Sequence, residues 1–408
     1  MTEGAAEALA AGRRERGFRV VACTLGLFLF AASAPSPLYG VYASSWHFSP
    51  TTLTEIFAVY AVALLATLLT AGSLSDALGR RPVILLGLGL QSLAMICFLV
   101  ANGVAWLFAA RITQGAATGL VTAAVAAALI DLQPEHPPGR GALVNAITPT
   151  FGLALGALVS GAFVQYGPAP TRLIYAVMLG GFVLLAATLT MVPETVTDRH
   201  RPSFSISLGV HRSARRRFVS ALPCLIATWA LGGLFLSLGP SIAEDLAGSS
   251  NRFLGGTVVT LLAGAGGTAA CLARNWPPRR AMLTGCAALT SGVTVAVIGI
   301  ATGEPGLFYL GTGMAGIGFG AAFLGAFRVL VSVASPESRA ALVASIYMVA
   351  YLAFSIPAVI AGLSATHFGL TSTAVVYGVV IAALSLAAIP ALSLTSRRSG
   401  APGWGHLR

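Results

Sequence analysis

Arg111 opens the run Arg111-Ile-Thr-Gln114-Gly115 inside the long apolar stretch 104–130. An ionised side chain at the centre of a bilayer costs about 2.5–3.5 kcal/mol on insertion scales unless it is paired or wetted. Arg111, Gln114, Thr118 and Thr122 follow the three-to-four spacing of one helix face. They should form a polar stripe turned toward water rather than lipid. Glu55 opens another apolar stretch at a similar depth and is the carboxylate placed to pair with Arg111 or to carry a proton. Two plainer readings stay open. Arg111 can snorkel to the interface, and Glu55 can simply favour a helix N-terminus, whose dipole suits an acid.

Further polar and aromatic residues fall at helical spacing inside apolar stretches. Asn145, Thr148, Gly152 and Gly156 share one face. Tyr39, Tyr42, Trp229, Tyr309, Tyr347 and Tyr351 are candidates for the wall of a pocket, with Tyr347, Tyr351 and Ser355 on one face. Aromatic walls with few charges suit an amphipathic organic compound. Tyrosine and tryptophan also gather at membrane interfaces, which accounts equally well for Tyr42 and Tyr309. Arg328, near the end of its stretch, reads as a snorkelling residue.

Enzyme chemistry finds no support. The six histidines lie in links or tails without metal spacing, and the five cysteines sit in apolar runs as small buried hydrophobes. A Gly-x-x-x-x-Gly-Lys phosphate loop cannot be built, because all 24 basic residues are arginine. No cofactor, metal or nucleotide is expected. The net charge of +11 does not indicate nucleic-acid binding, since the arginines lie in short links between apolar runs and not on one face.

These residues must be positioned by membrane-spanning helices. Hydrophobic residues make up 56% of the chain and charged ones 9%, against about a quarter charged in soluble proteins. Mean hydropathy is +0.84. Apolar runs long enough to cross about 30 Å of hydrocarbon read as twelve helices: 18–42, 52–74, 82–101, 104–130, 140–164, 172–192, 218–239, 253–274, 281–301, 305–333, 340–365 and 372–394. Pro35 and Pro37 should bend the first. Arg172 and Arg252 fall on one side, Arg111 and Arg328 within spans, and the other twenty of the 24 arginines on the opposite side. By the positive-inside rule that side is cytoplasmic and holds both ends of the chain. Residues 1–17 read as a loose cytoplasmic tail, 18–192 as a first six-helix bundle and 193–217 as a basic cytoplasmic linker. Residues 218–394 read as a second bundle and 395–408 as a cytoplasmic tail.

The halves repeat. A shift of 199 places Arg140-Gly-Ala-Leu-Val-Asn-Ala-Ile on Arg339-Ala-Ala-Leu-Val-Ala-Ser-Ile, and Arg80-Arg81 on Arg279-Arg280. Asp76 falls on Asn275. The charged link Gly72-Ser-Leu-Ser-Asp76-Ala-Leu-Gly79-Arg80-Arg81 must turn at the membrane surface between the second and third spans. Its Gly-x-x-x-Asp-x-x-Gly-Arg-Arg spacing resembles the signature loop of the major facilitator superfamily. Arg111-x-x-Gln114-Gly115 is similar to that family's second motif, found in proton-coupled drug exporters. Gly152-Leu-Ala-Leu-Gly156-Ala-Leu-Val-Ser-Gly161 resembles its antiporter motif, with Ala157 and Ser160 where proline and glycine are usual.

The resemblance implies an all-α membrane protein of two pseudo-symmetric six-helix bundles with a substrate held between them. It implies a gate on the cytoplasmic side, in which Asp76 faces the start of the eleventh helix near Ser338-Arg339 and Arg80 bridges to Asp131. It also implies a monomer in the bacterial inner membrane, exporting a small apolar or amphipathic compound in exchange for protons. Glu55 with Arg111 would be the coupling pair, although family exporters place that acid on the first helix, which has none here. On this expectation Glu55→Gln abolishes pH-driven exchange. Uptake or facilitated diffusion of a metabolite, and a sensor or scaffold without transport, are the alternatives.

Overall fold

The structure, a computed structural model, describes residues 3–72, 74–134, 140–196, 208–249, 251–333 and 335–397. Every described segment of regular structure is helical, as hydrocarbon demands of a chain that must satisfy its backbone internally. The first half runs α1 (Glu3–Ser33), a 3-10 turn at Ser36–Leu38, α2 (Tyr39–Trp46), α3 (Pro50–Ala71), α4 (Leu74–Leu78), α5 (Arg80–Leu99), α6 (Val104–Asp131), α7 (Arg140–Tyr166) and α8 (Leu173–Leu189). The second runs α9 (Arg212–Ser237), α10 (Gly239–Leu246), α11 (Arg252–Leu272), α12 (Pro278–Thr302), α13 (Pro305–Val331), α14 (Pro336–Phe368) and α15 (Leu370–Arg397). Among the described residues, 11 helices are long and apolar enough to cross a membrane, and Leu173–Leu189 is a shorter apolar helix. At 1.5 Å per residue that helix still spans about 26 Å, so the expected twelve spans are present.

The halves meet along two seams, α7 against α11 and α3 against α14. Below, the near end is the one that carries the start of α1 and the end of α15, and the far end is the opposite one.

Three boundaries differ from the sequence reading. Residues 3–17 are not loose but continue α1 as helix. This extension is held at the near end: Arg14 donates to the Asp131 carbonyl, and Glu15 lies 3.7 Å from Arg140. Helix α9 starts at Arg212, inside the expected linker, and α15 runs to Arg397, past the expected end of its span. Linker residues 197–207 and tail residues 398–408 lie outside the described residues.

Lipid is as apolar as leucine, so packing in a membrane relies on close backbone approach through small residues. The α12–α13 pair shows this with a seven-residue repeat that the sequence reading missed. Gly285, Gly292 and Gly299 face α13, while Gly311, Gly318 and Gly325 face α12. A Cβ at Gly292 would stand 2.2 Å from the Ala315 nitrogen. A strict heptad of small residues keeps two antiparallel helices in register over their whole length. Gly292→Val is therefore expected to lower thermal stability in detergent, by about 1–3 kcal/mol if the pair cannot part. A melting curve superimposable on the parent's would refute this.

Candidate functional site

The first span breaks at Ser33, where Pro35 and Pro37 can supply no N–H, and leaves the last carbonyls of α1 without intrahelical partners. Side chains from α6 and α7 satisfy them. Gln114 Nε2 donates to the Ala31 carbonyl at 2.9 Å, and Arg111 Nη1 to the Ala32 carbonyl at 3.0 Å. Ser160 donates to the Ala34 carbonyl at 2.5 Å. Arg111 also donates from Nε to Tyr39 Oη at 2.7 Å and from Nη1 to Gln114 Oε1 at 2.7 Å. Its Cζ lies over the rings of Tyr60, Tyr39 and Phe57 at 4.9, 5.6 and 6.0 Å. The negative end of a helix dipole and three aromatic faces thus surround this cation.

No carboxylate does. Arg111 is 0% exposed, whereas Glu55 is exposed, and no ion pair joins them. The expected coupling pair is not assembled in this structure. The reason is geometric: Arg111 turns toward the broken end of α1, while Glu55 lies in the first turns of α3 on its outer surface. The polar stripe avoids lipid as anticipated, yet it faces packed protein rather than water. Gln114 and Thr118 are buried, and Thr118 and Thr122 return their hydroxyls to the carbonyls of Gln114 and Thr118. Snorkelling of Arg111 is excluded by the same burial.

The glycines of the antiporter-like stretch act as contact points. A Cβ at Gly152 would stand 2.8 Å from the Gly26 carbonyl, and one at Gly156 2.1 Å from the Phe30 carbonyl, so both seat α7 on α1. Gly161 instead meets Gly256 of α11. Thr148 touches Gly26, and Asn145 is half-buried.

Trp229, Tyr347 and Tyr351 are brought together. Trp229 packs on Tyr351, Phe323 and Phe354 with ring centroids 5.1, 5.4 and 5.9 Å apart. Tyr347 and Tyr351 stack at 6.3 Å. Phe57 of α3 reaches Phe354 of α14 at 4.8 Å, so a continuous set of rings runs from the Arg111 enclosure into the second half. Phe57, Tyr60, Phe323 and Phe354 escaped the sequence reading, because lone aromatics in apolar helices carry no signal of their own. Tyr42 and Tyr309 lie elsewhere: Tyr42 is buried and donates to the Thr171 carbonyl, and Tyr309 pairs with Thr257. Arg328, near the end of α13, donates to the carbonyls of Arg274 and Trp276 in the link between α11 and α12.

At the near end, Arg80 pairs with Asp76, donates to Ser75 at 2.8 Å and lies 3.5 Å from Asp131. Asp76 remains 61% exposed and Arg339 is exposed. Among the described residues, no hydrogen bond or ion pair joins Asp76, Arg80 or Arg81 to α14. The expected contact of Asp76 with the start of that helix is not found among the described residues. Gly72 ends α3 and Gly79 precedes α5 with φ +105°, a conformation that favours glycine.

Glu194, expected to begin the linker, closes this network. Gly79 offers α5 no side-chain cap, and the Glu194 carboxylate fills the gap. It accepts from the backbone N–H groups of Arg80 at 2.9 Å and Arg81 at 3.0 Å. A Cβ at position 79 would stand 2.6 Å from Glu194 Oε2. Burial raises the Glu194 pKa, but N–H donation from Val196, Arg80, Arg81 and Thr195 outweighs it and holds the group below its ordinary value. Stabilisation from a depressed carboxylate is complete above the ordinary pKa and is lost as pH falls through the lower folded one. Glu194→Gln is expected to melt below the parent at neutral pH, with the gap narrowing in acid. Equal melting temperatures at neutral pH would count against the cap.

The far end is shut. A Cβ at Gly256 would stand 2.5 Å from the Ala157 carbonyl, and Thr260 donates to the Ala154 carbonyl at 2.9 Å. Thr51 and Thr366 hydrogen-bond at 2.9 Å across α3 and α14. Arg252 pairs with Glu244, its N–H donates to Gln165 at 2.9 Å, and its guanidinium lies against Gly40 of α2.

Comparison with known proteins agrees with this architecture. The family model described as Major Facilitator Superfamily matches residues 21–290. The multidrug resistance protein MdtL of Shewanella oneidensis is 31% identical over 186 residues, covering 44% of this chain and 46% of that protein. The chain thus spans about half the length of that relative. MdtL of Escherichia coli K12 is 25% identical over 336 residues, covering 78% of this chain and 83% of that one. A bacterial homologue of the human lysosomal transporter Spinster, in an inward-facing and unoccupied conformation, superposes with a TM-score of 0.78 at 14% identity, covering 96% of this chain and 99% of that one. A point mutant of the nucleoside transporter NupG gives 0.72 at 10% identity, covering 92% and 99%. These two similarities bear on the fold alone. With twelve apolar helices in two packed halves and a family match over most of its length, the chain belongs to the major facilitator superfamily.

Proposed function

We propose that this chain exports small, largely apolar or amphipathic organic compounds by alternating access between its two halves. The observation that carries this reading is the aromatic set Trp229, Tyr347, Tyr351, Phe354 and Phe57, which lies where the halves meet. With the far end shut and the near-end gate unlinked, that set is placed to load from the near side. The arginine bias makes the near side the cytoplasm. This is the loading state of an exporter, and the multidrug resistance names of the two MdtL relatives agree with it. Everted vesicles from an expressing strain should accumulate an amphipathic dye faster than vesicles from a deletion strain. Equal rates would remove the proposal.

Protons act on this cycle through Glu244 rather than Glu55. Burial pushes the Glu244 pKa up, against the pull of Arg252. Arg252 is the charged group facing it. Asp245 is exposed on the same helix, α2 and α7 bring Gly40 and the Gln165 amide, and the charges of α9 and α15 lie at the near end. Tyr39 and Tyr42 of α2 are engaged with Arg111 and Thr171, and Tyr377 of α15 with the Ala230 carbonyl. Opening the far end would hydrate Glu244 and bring its pKa back toward the ordinary ~4.3. Proton binding from outside therefore favours the closed far end, which returns an emptied carrier to its loading state. Glu244→Gln is expected to remove the dependence of flux on external pH, and Glu55→Gln to keep it. The opposite pattern, loss with Glu55→Gln and retention with Glu244→Gln, would restore the coupling pair expected from sequence.

A further inference from the structure

We propose that the aromatic set is a donor-lined site for neutral or anionic aromatic compounds bearing a carbonyl or carboxylate, and that it discriminates against organic cations. This rests on the export reading and adds the chemical class of the substrate.

Charge carries the first part of the argument. Of the 13 acidic residues, three fall within the apolar spans found among the described residues, all of them toward an end: Glu15 in Gly12–Trp46, Glu55 in Pro50–Ala71 and Asp131 in Val104–Asp131. Glu15 pairs with Arg19 and Arg140 at the near end, Glu55 is exposed in the first turns of α3, and Asp131 is the last residue of α6. A cation entering the middle of the bundle would find no carboxylate there, and an unpaired charge is costly in that setting. It would instead meet Arg111, which is 0% exposed and has no acidic partner.

An aromatic cage can itself attract a cation through its ring faces. Here Phe57, which reaches Phe354 across the halves, already faces the Arg111 guanidinium together with Tyr39 and Tyr60. The member of the set nearest the first half thus already faces a cation of the protein's own.

Hydrogen bonding supplies the second part. Trp229 Nε1 and Arg111 Nη2 are buried and have no hydrogen-bond partner. Both atoms can only donate. A buried donor without a partner is uncommon in native proteins and favours a ligand that brings an acceptor. Phe57 and Phe354 stand between the two donors, with ring contacts of 4.8 Å to each other and 5.9 Å from Phe354 to Trp229. A ligand whose ring packs on Tyr351 or Phe323 can place its acceptor at the indole N–H, in the positive field of Arg111. Uncharged carbonyls and carboxylates meet that requirement; ammonium groups do not.

The test uses one naphthalene scaffold carrying, in turn, a carboxylate, a primary amide and a trimethylammonium group, titrated into the purified full chain. The amide and the carboxylate are expected to bind at least about tenfold more tightly than the trimethylammonium compound, the equivalent of roughly 1.4 kcal/mol. Trp229→Phe keeps the ring contacts and removes the donor. It should narrow the advantage of the amide while leaving the weak cation binding as it was. Equal or tighter binding of the trimethylammonium compound overturns the proposal, as does an amide preference unchanged by Trp229→Phe. Flux in proteoliposomes is measured in parallel. The expected charge preference in binding without flux of any of the three would sink the export reading and leave the site assignment standing.

Discussion

Arg111→Leu is expected to reduce flux about tenfold or more and to lower the melting temperature in detergent, and Arg111→Lys is expected to rescue neither fully. The guanidinium serves three acceptors at once: the Ala32 carbonyl, Tyr39 Oη and Gln114 Oε1. Each buried polar group left unpaired costs about 1–3 kcal/mol. Leucine abandons all three, and lysine cannot reproduce a planar fork with two directions of donation. The consequence travels through α1, because Arg111 and Gln114 hold the carbonyls at which the first span breaks. Without them the relation of α1 to the 3-10 turn and α2 is loosened, and α2 carries Gly40, part of the far-end closure. Gln114→Leu, which removes only the donor to Ala31 and the acceptor for Arg111, should show a milder loss in both measurements. Parental flux and melting in Arg111→Leu would show that the broken helix end needs no such support.

Gly256→Val is expected to abolish turnover while leaving each half folded. Position 256 lies on the seam between α7 and α11, with room for a hydrogen only: a Cβ there would stand 2.5 Å from the Ala157 carbonyl and 3.3 Å from Gly161 Cα. Backbone on both sides cannot yield as a flexible side chain would. The far end must then stay parted, and a carrier that cannot close one face cannot alternate. Gly264→Ala is the matched control on the same seam, because its Cβ would meet Ala154 Cβ at 3.8 Å, an ordinary contact. Spin labels at the exposed positions 170 and 304, in a chain freed of its native cysteines, read the far-end separation. Gly256→Val should lengthen that distance and stop flux; Gly264→Ala should change neither. An unchanged distance in Gly256→Val would mean that this seam does not set the closure.

The spans were legible because hydrocarbon imposes length and polarity on the sequence directly. A run such as 253–274 has to be a helix, and the helix found there is Arg252–Leu272. The 3-10 break after Ser33 was readable from Pro35 and Pro37, and the depth of Arg111 from its position in α6. Spacing also put Tyr347 and Tyr351 on one face, and their rings stack at 6.3 Å. The heptad glycines of α12 and α13 were equally present in the sequence, but their meaning depended on knowing that these two helices pair.

What Arg111 is paired with could not be read. Spacing along one helix constrains which residues share a face, whereas the choice between Glu55 and the Ala32 carbonyl with Tyr39 Oη depends on how α1, α3 and α6 are rotated about their axes. The same holds for Glu194, which sits in sequence at the edge of a linker and in space at the uncapped start of α5. It holds again for Glu244 with Arg252, eight positions apart and joined only once α10 folds back on α11. Composition and hydropathy therefore determined the number and approximate length of the spans, since each follows from the solvent a segment must occupy, while the family was carried by the motif of residues 72–81. Which buried charges are compensated, by what, and which end of the molecule is closed were decided by tertiary packing, because those depend on atoms brought within a few ångströms by helices far apart in the chain.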